Sequence, residues 1–382
     1  MIKSLGRNLI NFEMAFYLKK ALSEKREKKV PDIPRHILCL QMNAIGDSII
    51  SQPAWANLQS IFPEATIDLV CRPHVAPLFI EDPSLNAIFP FENHKYRPWL
   101  FKDNRKLKKT LLEGNYDLLI DFTALPLTAN ICATDMATPS IGFQRLINSP
   151  FGRFDLGRAY DLTYPYSETD SIRILMLKLV ENYSRVKAQE NNPELYLKNS
   201  VIEKAEFLLK KKGLGKNSFL VLHPGAKWPP KRWPLTYWRQ LIGLLIRNID
   251  FPIVVMGNKE DSKLINYIVS DFDDSKTVSF VSDRIDLSSA VIKMAGLCVS
   301  NDSAAMHIAA SVKTKSIALF GPVSPDRSAP PSKEICKIFY RHMFCSPCTL
   351  YYSRDRCRRG INFCMYGIKP QMVYKEIKQT IG

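Results

Sequence analysis

Ala295-Gly296-Leu297-Cys298-Val299-Ser300-Asn301-Asp302-Ser303-Ala304-Ala305-Met306-His307 is the stretch on which the reading turns, with Lys315-Ser316-Ile317-Ala318-Leu319-Phe320-Gly321-Pro322 after it. A short apolar run, a polar Asp-Ser elbow, a small-residue helix start and a second apolar run ending in Gly-Pro is how an open α/β sheet builds a ligand crevice. Asp302 has the chemistry to accept hydrogen bonds from sugar hydroxyls. Ser303 and the backbone N–H groups of Ala304 and Ala305 suit an anion over a helix N-terminus. His307 falls one turn deeper on the same face. Asp and Ser are also common helix caps, so the elbow alone leaves an ordinary N-cap open.

Outward from the elbow, the alternation recurs. Ser218 to His223 reads as a strand running into Pro224-Gly225-Ala226, and a loop containing Lys227 and Lys231 leads to Trp233-Pro234 and a helix over 235–247. Pro252 to Met256 is a strand ending at Gly257, followed by a helix over 259–270, a strand from Thr277 to Val281 and a helix over 286–295. The first half repeats the scheme. Arg35 to Gln41 is its first strand, and Ile45-Gly46-Asp47 forms a tight turn into a helix, with the Asp47 carboxylate at the strand's carboxyl edge. Strands at 65–71, 87–90 and 116–121 follow, with helices at 75–80, 99–112 and 125–135. Ser140 to Phe143 is expected to close the sheet. Regular alternation implies parallel sheets covered on both faces.

Gln144 to Thr169, with Arg145, Arg153 and Arg158, reads as a long loop and a candidate acceptor-binding flap. A helix covers 171–187, and the polar stretch 189–200 marks the domain boundary. The expected organisation is a basic helix at 1–30, an α/β domain at 31–190, a second at 201–369, and a terminal helix at 370–382. The ligand is expected in a cleft between the two domains.

Composition narrows the partners. The 382 residues carry 53 Lys and Arg against 37 Asp and Glu, a formal charge of +16, which favours an anionic partner. Residues 1–30 hold eight basic and three acidic residues, with apolar positions at helical spacing. Such a helix either lies on an acidic membrane surface or packs on the protein body with its charges solvated. No run is long and apolar enough to span a bilayer, no secretory signal is recognisable, and no motif for nucleic acid is present. A cytosolic location follows as the expectation. Nine cysteines, an odd number, argue against a disulfide framework. Four of them, Cys345, Cys348, Cys357 and Cys364, form a cluster whose first pair has metal-knuckle spacing. A structural zinc or iron site, reduced packing thiols and a disulfide all remain open there. Asp271-Phe272-Asp273-Asp274 resembles a metal-binding Asp-x-Asp but sits in a polar stretch and reads as a solvated loop.

Ile45-Gly46-Asp47, His223-Pro224-Gly225-Ala226, Lys231-Arg232-Trp233-Pro234, Gly257 with Glu260, Asp302-Ser303 with His307, and Gly321-Pro322 with Pro325 stand in this order from about residue 35 onward. Together they resemble glycosyltransferase family 9, the bacterial heptosyltransferases of lipopolysaccharide core assembly. The resemblance implies a GT-B fold, two Rossmann-like domains facing each other across a cleft. It implies an inverting, metal-independent transfer from ADP-heptose with no catalytic cofactor. The acceptor is then an anionic lipid-linked oligosaccharide at the cytoplasmic face of the inner membrane. Residue by residue, Asp47 matches the catalytic base, Lys231 the lysine at the donor diphosphate, and Glu260 an acid at the ribose. Asp302, Ser303, Ala304 and His307 match the donor elbow, and Gly46, His223, Gly225, Lys227 and Gly321 line the same sites. Ala304 replaces a glycine usual in the family, and Gln41 replaces a basic residue. A protein acceptor and a sugar-nucleotide binder without turnover are the competing readings. The terminal helix is expected, by resemblance, to return to the first domain.

Overall fold

The computed structural model describes residues 16, 18–92, 113–134, 138–149, 152–273, 275–348, 356, 357 and 359–381. The chain divides into two compact units, Met1–Asn191 and Asn192–Gly382.

In the first unit, β1 (His36–Gln41) enters α1 (Ile45–Ile61), and β2 (Thr66–Cys71), β3 (Ala87–Pro90), β4 (Leu118–Asp121), α2 (Pro126–Thr134) and β5 (Ser140–Gln144) follow. β1 and β2 are buried at every position but the first, as strands covered on both faces must be. Beyond β5 the chain forms an antiparallel hairpin of β6 (Leu146–Ser149) and β7 (Gly152–Asp155), then β8 (Leu162–Pro165) and α3 (Ile172–Ser184). The sheet order is β3-β2-β1-β4-β5-β8, all parallel. Two expectations are corrected here. β5 does not close the sheet, because β8 pairs along its far side, Ile141 opposite Leu162. The stretch 144–169 is not a plain loop, because it contains that edge strand and the hairpin. The three strands of this stretch are four residues each and lie among Gly, Arg, Tyr and Pro, with no apolar run to mark them.

The helix at α1 is pinned from below. The indole N–H of Trp55 and the amide of Gln52 both donate to Asp82 Oδ2, at 3.1 and 3.2 Å. Residues 18–24 of the N-terminal helix pack on this unit, Leu18 and Ala21 being buried among Leu38, Leu40 and Met42. Lys25 Nζ lies 2.6 Å from Asp161 Oδ1, and Lys28 N donates to the same oxygen. For this part of the leader, packing on the protein body is the reading that holds, since its apolar side is spent in the core. Residues 1–15 and 17, and the helix expected at 99–112, lie outside the described residues. Among the described residues no helix is long and apolar enough to cross a membrane.

The second unit runs α4 (Asn199–Lys210), β9 (Leu220–His223), α5 (Leu235–Asn248), β10 (Ile253–Gly257), α6 (Ser262–Val269), β11 (Thr277–Val281), α7 (Ile285–Met294), β12 (Leu297–Asn301), α8 (Ala304–Ser311), β13 (Ser316–Phe320) and β14 (Cys336–Tyr340). Two further helices, α9 (Phe363–Tyr366) and α10 (Pro370–Ile381), complete it. The order is β11-β10-β9-β12-β13-β14, again all parallel. Both sheets therefore reverse direction once, between β1 and β4 and between β9 and β12. In such sheets the ligand crevice opens beyond the carboxyl ends of those two strands. Val373 and Ile377 of the terminal helix α10 are buried in one core with Trp238, Leu241 and Leu245 of α5.

Candidate active site

At the switch point of the second unit, His223 on β9 stands opposite Ser300 on β12. The chain leaves β12 through Asn301, whose side chain is fully buried and ties three segments together. Its Oδ1 accepts from Trp233 N at 3.0 Å, and its Nδ2 donates to Pro224 O at 2.8 Å. The loop carrying Lys231 is thereby held to the end of β12. Trp233 adds the anchor: its ring packs edge-on to Trp238, with centroids 5.0 Å apart, and its indole N–H donates to Ile368 O. Asn362 Nδ2 braces the same loop at Pro230 O, 3.0 Å away.

So held, Lys231 Nζ lies 2.6 Å from Asp302 Oδ2, and 4.8 Å from the centroid of the Trp228 ring. The Asp302 side chain is only 4% exposed and that of Lys231 16%, so this ion pair is poorly screened. Ser303 stands at the N-cap of α8 in extended conformation, yet its hydroxyl does not cap the helix. Ser303 Oγ is buried and makes no hydrogen bond among the described residues. A buried polar atom without a partner is costly unless a ligand completes it. The N-cap reading of the elbow is therefore not what the serine does, and the backbone N–H groups of Ala304 and Ala305 begin the helix beside it. His307, 6% exposed, is neutral: burial, and then the Lys231 charge, lower its pKa to about 3.

That value has a measurable consequence. An imidazole titrating near 6.5 in the unfolded chain takes up a proton there while the folded one does not, so stability falls as pH drops from about 6.5 towards 3. His307→Leu removes this loss. Between pH 7 and 4.5 the variant is expected to lose about 2 kcal/mol less stability than the parent, read from urea unfolding at each pH. Equal losses in the two proteins would show that His307 does not titrate in this window.

The structure brings Gly225 and Gly257 together around an acid that the sequence reading passed over. A Cβ on Gly225 would come 2.4 Å from Asp261 Oδ2, and one on Gly257 2.9 Å from the same oxygen. Glycine is needed at both places for Asp261 to fit. Burial lowers the His223 pKa, and the Asp261 carboxylate opposes that shift. Glu260, singled out in the sequence, is exposed on the turn Lys259–Asp261, whereas its neighbour Asp261 is buried. The only signal that separates the two is the pair of facing glycines. Lys227 is exposed on the loop before Trp228. Gly321 ends β13 where a Cβ would meet Met365 Sδ at 2.4 Å, so packing against α9 already demands glycine there.

In the first unit, Gly46 and Asp47 lie in the first turn of α1, at the carboxyl end of β1. Both are partly exposed. Burial lowers the Arg72 pKa, and the Asp47 carboxylate opposes it, so the two charges stand near one another. Arg72 Nε donates to Met42 O at 2.6 Å, fixing the turn between strand and helix. Gln41 is fully buried; its Nε2 donates to Ser51 Oγ and its Oε1 accepts from Asn43 N. Arg145, in the stretch expected as a candidate acceptor-binding flap, is braced by Glu168 at 2.7 Å and by Ala124 O at 2.9 Å.

Among the described residues no group of three or more His, Cys, Asp or Glu side chains could hold an ion. Cys364 is buried on α9, and burial pushes its thiol up to about 11, while Cys345, Cys348 and Cys357 are only partly buried. All nine cysteines are free thiols. The structural zinc or iron expected at this cluster is without support among these residues, and Cys364 lies beside Gly321. Asp271 of the Asp-x-Asp string is an exposed partner of Arg239, as a solvated loop requires.

The model of glycosyltransferase family 9 (heptosyltransferase) matches residues 104–357. In sequence the chain is similar to the lipopolysaccharide heptosyltransferase 2 of Salmonella typhimurium, at 25% identity over 364 residues, covering 91% of this chain and 98% of that protein. Among solved structures it is similar to that of Escherichia coli ADP-heptose lps heptosyltransferase II, with a TM-score of 0.71 and 20% identity over 91% of this chain and 98% of that one. It is also similar to a glycosyl transferase family 9 protein from Veillonella parvula, with a TM-score of 0.75 and 15% identity over 91% and 97%. At these identities the structural likeness speaks for the GT-B fold.

Proposed function

The chain belongs to glycosyltransferase family 9, and from that premise we propose that it transfers heptose from ADP-heptose, with inversion, to a lipid-linked acceptor of lipopolysaccharide core synthesis. The observation that carries the donor assignment is the elbow at β12. It combines a buried Asp302–Lys231 pair, an unpartnered Ser303 hydroxyl and the start of α8 at the switch point of a Rossmann-like sheet. Two of the proteins named above are lipopolysaccharide heptosyltransferases, one of them described with ADP-heptose, which supports the same donor.

In this reading the second unit binds the donor. Asp302 and Asp261 accept from ribose or heptose hydroxyls, and Ser303 with the α8 N-terminus meets the diphosphate. The first unit supplies Asp47. Its carboxylate takes the proton of the acceptor hydroxyl as that oxygen attacks the anomeric carbon, and the bond from that carbon to the phosphate oxygen breaks. ADP leaves with the bonding pair, and the added negative charge is compensated by Lys231. No metal is needed in this scheme, because a lysine and helix amides already offset the leaving charge. The anionic acceptor suits a chain of +16, and its lipid places the enzyme at the cytoplasmic face of the inner membrane.

A thermal-shift panel of ADP-, GDP- and UDP-sugars tests the donor. At about 100 times its dissociation constant a ligand stabilises the fold by roughly 2.7 kcal/mol. ADP-heptose is expected to give a shift of that size and the others little. A larger shift with GDP- or UDP-sugars would refute the ADP assignment.

A further inference from the structure

Asp121 has no part in the scheme above, yet it is a fully buried carboxylate at the carboxyl end of β4, one strand from the turn that leads to Asp47. Its two oxygens are both engaged. Oδ1 accepts from Thr123 N at 2.7 Å, and Oδ2 accepts from the Tyr160 hydroxyl at 2.6 Å. Gly142 on β5 makes room for the second of these, because a Cβ there would come 2.6 Å from the Tyr160 ring.

Thr123 passes this anchoring on to β1. Its hydroxyl donates to Leu40 O at 3.0 Å and accepts from Met42 N at 2.9 Å. Its carbonyl accepts from Asn43 Nδ2 at 3.3 Å. Next along the chain, Ala124 adopts a left-handed backbone with φ of 53°, and its carbonyl is held by Arg145. The segment after β4 is therefore rigid on the side where it grips residues 40–43, and α1 begins two residues later at Ile45.

We infer that Asp121, acting through Thr123, is a positioning residue that fixes the 40–43 turn and so aims Asp47 at the acceptor hydroxyl. This rests on Asp47 being the base. Thr123 is the residue to test, because the threonine hydroxyl is the joint of the network and valine keeps its shape. Thr123→Val should lower kcat by about 10²-fold, the scale of a misplacement near 1 Å. Its affinity for ADP, measured by calorimetry, should stay within about twofold, since the donor residues belong to the other unit. Thr123→Ser, which keeps both hydrogen bonds, should restore most of kcat.

In the Asp47→Asn background Thr123→Val should cost less than about twofold more, because the group it positions is already gone. A multiplicative loss in that background would overturn the inference, as would a wild-type kcat in a folded Thr123→Val protein. If Thr123→Val does not fold, Tyr160→Phe removes only the hydroxyl behind Asp121 and is read by the same split between kcat and ADP affinity; a wild-type kcat there overturns the inference equally. Full turnover by Asp47→Asn alone would instead refute the base assignment, and the two failures are thus told apart.

Discussion

Asp47→Ala is expected to abolish measurable heptose transfer, with a rate loss on the order of 10²–10⁴-fold, while ADP binding survives. The size follows from what a single general base contributes when the nucleophile is an alcohol that must shed its proton as it attacks. The survival of ADP binding follows from the division of labour in the chain. Asp47 lies on α1 of the first unit, whereas Asp302, Ser303, Asp261 and Lys231 all lie in the second. Initial rates with ADP-heptose and acceptor, beside calorimetry with ADP, give both quantities from one preparation. Normal turnover by the variant would remove Asp47 from the mechanism.

Lys231→Met should cost transfer about 10²–10³-fold, comparable to losing one electrostatic contact to the developing charge. It should also destabilise the protein. Removing the lysine strands the Asp302 carboxylate, 4% exposed, without its counter-charge. Breaking a buried pair costs several kcal/mol, and because Lys231 itself remains partly exposed, a loss on the order of 2–3 kcal/mol is the reasonable figure. The double variant Lys231→Met/Asp302→Asn separates the two effects. It should recover much of the stability, since no buried charge is left unpaired, and none of the rate. Recovery of the rate together with stability would mean that Lys231 serves only to neutralise Asp302, and the leaving-group role would be lost.

Residues 362–368 buttress the loop that carries Lys231: Asn362 holds Pro230 O, and Ile368 O receives the Trp233 indole. Met365 and Cys364 fill the space against Gly321.

Much of this was legible in the sequence. Buried parallel strands announce themselves locally, as apolar runs such as Leu297–Ser300 and Ile253–Met256 bounded by polar elbows, because a strand covered on both faces tolerates no alternation. The Gly46-Asp47 and Asp302-Ser303 turns were legible for the same reason: a strand-to-helix turn at a sheet's carboxyl edge has a narrow choice of residues. From that alone the chain is a pair of α/β units with a carboxylate at the strand-to-helix turn of one and a polar Asp-Ser elbow at that of the other. What only tertiary structure decided is which neighbours those elements choose. β8 pairs outside β5, residues 18–24 bury Leu18 and Ala21, α10 packs on α5, and Asp261 rather than Glu260 turns inward against Gly225 and Gly257. Nearly all of these depend on contacts between residues about twenty to more than a hundred positions apart, and the spacing of residues along one segment holds no record of them.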